Sequence, residues 1–151
     1  MCWISNDAVK EILKEDEVTY KILRPISDTE ARAAVFDAYI YQKDTSNPRV
    51  EINPEFSIVH SGWIIEEGYH SYTKIPNMDN MSSYNAIYRM IIPKGTVVYR
   101  SDIRNEIVSS NIIMQELIAY KGKFVNIRFI ELLKYIWNNG LHFLWERYIN
   151  L

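Results

Sequence analysis

The chain has 151 residues, of which 48% are apolar and 24% charged, and its formal net charge is −2. That length suits one domain with a real core, and the apolar fraction excludes a disordered chain. The acidic balance argues against a general nucleic-acid binder, which needs a basic stripe to offset phosphate.

Ser5 to Asp16 sets Ala8, Val9, Ile12 and Leu13 on one helical face and predicts a short helix. Val18 to Arg24 is β-branched and aromatic and predicts a strand that Pro25 ends. Ser27 and Glu30 form a capping-box pattern, followed by Ala33, Phe36 and Ile40 at helical spacing. A helix is expected from about Thr29 to Gln42. The stretch from Val50 to Gly68 is broken by Pro54 and Gly62 and predicts short strands or irregular chain. Ala86 to Ile92 carries the strongest strand signal. Pro93, Lys94 and Gly95 make a turn, and Thr96 to Arg100 returns as a second strand. Asn105 to Leu117 adds one or two more.

The end of the chain is helical in pattern. Ile127, Ile130, Leu133 and Trp137 form an apolar stripe, with Arg128, Glu131 and Lys134 on a charged face. Asn138, Asn139 and Gly140 make a helix stop. A second short helix is expected to carry Leu141, Leu144, Trp145 and Tyr148. The expected fold is α+β: a single domain with a small mixed or antiparallel sheet, an early helix and a C-terminal helical tail. The sheet-containing body would span about 1–122 and the tail about 123–151. No run of 18 apolar residues occurs, so no membrane-spanning helix is predicted. The opening residues lack the order of a signal peptide, so a cytoplasmic location is expected.

The richest stretch for chemistry is "EEGYHSYT", Glu66 to Thr73. On a strand, Tyr69, Ser71 and Thr73 share one face and His70 and Tyr72 the other. Tyr69, His70 and Tyr72 are therefore the candidate ligand-binding set. Lys94, at its glycine turn, is a candidate contact for an anion. Glu66 and Glu67 point to opposite faces and cannot act on one atom. The single cysteine, Cys2, excludes an internal disulfide, and the three histidines show no metal-ligand spacing, so no metal is expected. No constellation joins a nucleophile, a base and an oxyanion donor.

Several motifs together resemble a family of small uncharacterised proteins of Bacteroidetes and tailed phages. These are Met1, Cys2 and Ile4; Val18 with Tyr20 to Leu23; Gly68 to Tyr72; Ile91 to Tyr99; Glu106 to Ser109; and Ile112 with Ile113. The resemblance covers roughly Met1 to Met114. It implies a compact domain in a phage or gut-bacterial setting, with the host cytoplasm as location, and no stated activity. Arg24, the run Ser71, Tyr72 and Thr73, and Glu106 also resemble, in order, the arginine–serine–glutamate pattern of ADP-ribosyltransferases. That resemblance implies that Arg24 holds the phosphates of NAD, Ser71 and Thr73 brace the nicotinamide end, and Glu106 stabilises the transition state. Arg104 stands where that family has Gln or Glu, and Tyr72 interrupts its serine–threonine–serine strand.

The favoured expectation is a non-enzymatic binding or accessory domain, without a cofactor, for a protein or small-molecule ligand. The alternatives are an NAD-dependent transferase and a nucleotide sponge or inhibitor of bacterial immune signalling. A homodimer through the C-terminal helices is the alternative to a tail packed on its own domain.

Overall fold

A computed structural model describes residues 3–34 and 39–139. It is predominantly β. The strands are β1 (Trp3–Ser5), β2 (Lys10–Ile12), β3 (Glu17–Pro25), β4 (Glu30–Ala33), β5 (Ile40–Gln42), β6 (Glu55–Ser57), β7 (Gly62–Ile65), β8 (Tyr69–Tyr72), β9 (Ala86–Ile92), β10 (Val97–Arg100), β11 (Glu106–Ser109), β12 (Ile113–Tyr120) and β13 (Lys123–Phe124). The one α-helix among the described residues is α1 (Phe129–Asn139). No helix there is long and apolar enough to cross a membrane.

This corrects the expected α+β fold with a small sheet and an early helix. The main sheet has ten strands, ordered β13-β12-β9-β3-β8-β11-β10-β2, with β4 on β3 and β5 on β4. A second sheet has the order β1-β7-β6, and every strand pair is antiparallel. The expected early helix is a pair of strands, β4 and β5, although Phe36 lies outside the described residues. The Ser27 hydroxyl does accept a nearby amide, that of Thr29, at 3.3 Å. It serves the turn between β3 and β4, where the Ile26 and Ser27 amides both reach the Glu30 carbonyl. Ladder pairing with β3 overrides the helix preference of Glu, Ala and Arg. The expected helix at Ser5–Asp16 is replaced by β1, a loop and β2. In the tail, α1 is helical as the pattern implies, and the second helix falls outside the described residues.

The sheet curls. Strands β9 and β10 are joined by only Pro93 to Thr96, yet three strands lie between them in the sheet. At ~4.8 Å per strand a flat sheet would hold them ~19 Å apart. Five residue steps reach ~17 Å when fully extended, and this link is a turn, with the Thr96 amide on the Pro93 carbonyl. The concave side encloses Leu23, Met90, Ile92, Val98, Ile107 and Ile112, all fully buried. The other side of β3 and β9 packs Tyr20 and Ile87 with Phe124 and, from α1, Tyr135.

Gly68 marks the bend into β8. Its φ is +94°, and an added Cβ would sit 2.7 Å from Val108 Cγ1. Gly68→Ala is expected to destabilise by about 1–3 kcal/mol through backbone strain and that clash. A melting curve that matches the native one would show that the bend relaxes freely.

Candidate functional site

Register places five residues side by side on one face of the main sheet. Glu116 of β12 is opposite Arg89 of β9, which is opposite Tyr20 of β3. Tyr20 is opposite Tyr72 of β8, which is opposite Glu106 of β11. The row thus runs Glu116, Arg89, Tyr20, Tyr72, Glu106, and neighbouring strands stand ~4.8 Å apart.

One half of the row is saturated. The Arg89 guanidinium is fully buried and donates through Nη1 to Glu116 (2.7 Å), through Nη2 to the Asn126 carbonyl (3.1 Å) and through Nε to Glu131 Oε2 (3.0 Å). A further bond from Nη2 to Glu131 Oε1 completes a fork. Tyr20 donates to the same carboxylate at 2.6 Å. Glu131 lies in the first turn of α1 and also accepts the Arg128 amide at 2.9 Å, the return half of a capping box. Burial pushes the Glu131 carboxyl up, but the donors from Arg89 and Tyr20 outweigh it and hold it below the usual range. A tail packed on its own domain is expected to turn its apolar stripe inward, and the clasp turns α1 the other way. Glu131 and Tyr135 face the sheet, whereas Ile130, Leu133 and Trp137 are exposed, Trp137 to 91%.

The other half is unsaturated. Glu106 is 6% exposed, and its Oε2 is buried with no hydrogen-bond partner. Burial raises its pKa, against the charge of Arg104. Tyr72, half-buried beside it, is raised by burial and by the Glu106 charge. Tyr72 and Glu106 line a cavity of about 420 Å³ with Lys74, Asn77, Arg104 and Asn105. A neighbouring cavity of about 510 Å³, between α1 and the sheet, shares Lys74, Ile75 and Asn138 with it.

Of the residues proposed from the sequence, only Tyr72 and Glu106 meet. Tyr69 is a core residue. It donates to the Pro48 carbonyl at 2.6 Å and packs edge-on to Tyr39 and Tyr41. Ser71 is fully buried on the opposite face from Tyr72 and Glu106, with its hydroxyl unpartnered. Thr73, beyond the end of β8, lines the larger cavity, and its amide bonds the Asn105 carbonyl. Arg24 is exposed and pairs with Arg32 of β4, four residues or ~13 Å along β3 from Tyr20. The set Arg24, Ser71, Thr73 and Glu106 therefore does not converge on one cleft. Lys94 is exposed on the β9–β10 turn, where its amide bonds Asp16 at 2.8 Å, more than ~10 Å along β9 from the row. Among the described residues no group of three or more His, Cys, Asp or Glu side chains could hold a metal.

His70 stands two residues from Tyr72, opposite Val108. Its Nε2 is 3.3 Å from the Glu66 carbonyl, and its Nδ1 is buried without a partner. Lys21 donates to the His70 carbonyl where β3 leaves β8 for β4. Burial and the Lys21 charge lower the His70 pKa to about 4. Burial brings Lys21 itself down to about 8. The folded state thus holds His70 neutral, while the unfolded chain takes up a proton as pH falls below about 6.5. The unfolded state binds more protons in that window, so stability falls with pH from 6.5 toward 4. Glu106, raised, opposes this slope as it protonates, and Glu131, lowered, adds to it below its ordinary range. His70→Asn is expected to flatten the slope in urea titrations run between pH 7 and 4. Equal slopes for the two proteins would place the responsible group elsewhere.

The residues that sequence reasoning missed are Arg89 and Glu131. A signal existed for the first: Arg89 is the one charge in the apolar strand "AIYRMII", and a buried charge demands a partner. Comparison with family models, curated proteins and solved structures finds no match to the chain.

Proposed function

We propose that this chain is a non-enzymatic binding domain whose site is the cleft of Tyr72 and Glu106. One observation carries the reading. Glu106, which lines a cavity of about 420 Å³ beside the half-buried ring of Tyr72, carries a buried carboxylate oxygen without a partner. Such a group leaves a free-energy deficit that a ligand donor removes. A cleft of this size with a few convergent polar groups suits a small polar molecule. The spread of Arg24, Ser71 and Glu106 over two faces and ~13 Å supports binding over transferase chemistry.

The test is a thermal-shift screen of polar metabolites against the native protein and Glu106→Ala. A ligand at 100 times its Kd adds about 2.7 kcal/mol to native stability. The reading expects at least one stabilising compound whose effect vanishes in the variant. Stabilisers that act equally on both proteins would overturn it.

A second reading, homodimerisation through α1, is favoured by its outward face. Phe129, Leu133 and Trp137 recur every four residues and are 75%, 45% and 91% exposed. A second copy laid along this stripe would bury it. The check is mass by light scattering: a dimer that Trp137→Glu converts to monomer supports this reading, and a native monomer at high concentration ends it.

A further inference from the structure

Two buried carboxylates meet the row with unequal partners. Over β9, Arg89 presents two planar N–H donors to Glu131 of α1 and satisfies both of its oxygens. At the β11 end, Glu106 has no such fork: it lines the cleft, and its Oε2 is buried without a hydrogen-bond partner. A carboxylate accepts through two coplanar oxygens, so its natural complement is a flat group with two adjacent N–H donors. Two common biological groups have that shape: a guanidinium, and the edge of guanine that carries N1–H and the N2 amine.

The rim decides between them. Lys74 and Arg104 both line the cleft, with the amides of Asn77 and Asn105. A cationic guanidinium would enter past two like charges. A guanine nucleotide is neutral at the base and anionic at the phosphate, and matches the cleft at both ends. Tyr72 supplies a ring on which a base can stack. Stacking accepts any base, so discrimination falls to Glu106. Adenine turns a bare ring nitrogen, an acceptor, toward the carboxylate beside its amine, where guanine has N–H.

We infer that the cleft of Tyr72 and Glu106 binds a guanine nucleotide, with the base edge on the Glu106 carboxylate, the ring against Tyr72 and the phosphate at the rim near Lys74. The inference rests on the binding-site reading above. The adjoining cavity between α1 and the sheet, which shares Lys74 and Asn138 with the cleft, extends the room beyond the base.

Isothermal titration of the full chain with GMP, AMP, inorganic phosphate and free arginine tests it, on the native protein and on Glu106→Gln. Native protein is expected to bind GMP. AMP on the native protein, and GMP on the variant, should each bind about 5- to 150-fold more weakly, the range for loss of one bidentate base contact. Glutamine keeps the shape and removes a buried charge, so the variant should melt no lower than native. Tyr72→Leu, which removes the ring and leaves the carboxylate, is the second variant and should also weaken GMP. Equal affinity for GMP and AMP, or GMP binding untouched by both variants, overturns the inference. Arginine bound in preference to GMP, or screen hits lost in Glu106→Ala with no GMP binding, overturns the nucleotide assignment and leaves the cleft as a binding site. Screen hits indifferent to Glu106, with no GMP binding, overturn both.

Discussion

Arg89→Met is expected to destabilise the protein by about 3–5 kcal/mol, the scale for removing one partner of a buried charge pair. The reason lies in what remains. Glu131 would stay buried under α1 with the Tyr20 hydroxyl and the Arg128 amide as donors and no countercharge. Glu131→Gln should cost less, because Arg89 would still hold the half-exposed Glu116 and the Asn126 carbonyl. Arg89→Met combined with Glu131→Leu should recover much of the loss, since an apolar pair of similar volume needs no desolvation. Urea unfolding of the three variants measures this. Equal losses for Arg89→Met and for the double variant would show that the pair is not coupled.

Ile92→Ala is expected to cost about 2–5 kcal/mol. Ile92 is fully buried on the concave side of the curled sheet, in the same cluster as Leu13, Met90 and Val98. The neighbours come from two strands and a loop held by ladder bonds, so the cavity cannot close by a local shift. A loss below about 1 kcal/mol in a two-state melt would mean that the curl relaxes around the gap. Ile91, its neighbour on the other face, is only partly buried and should cost less.

Strand β9 was legible because both of its faces are apolar and a glycine turn follows it. The early helix was misread at Glu30 to Ala33. Those residues prefer a helix locally, and what makes them a strand is an edge of β3 that β8 leaves free. The orientation of α1 was misread for a similar reason. Its apolar stripe would face inward on burial grounds alone, but Arg89 lies 42 residues before Glu131 and its charge fixes which side docks. Within the candidate site, alternation in "GYHSYT" separated Tyr72 from Ser71 correctly. The adjacency of Tyr72 to Glu106, 34 residues on, is register, which is set by pairing and not by local pattern.

The sheet order also sets a timetable for synthesis. Strand β1 pairs with β7, β2 with β10, and most of β3 with β9. Until β7 and β10 are made, β1 and β2 have no neighbour, and until β8 and β9 are made β3 can gain only the short β4 hairpin. The ladder of β2 closes only when Val97 to Tyr99 of β10 arrives. Pairings so distant along the chain form slowly, because loop closure precedes any gain from contact. Strands β1 and β2 therefore wait with open edges until β7 and β10 are made, the state that chaperones shield and that aggregates form from.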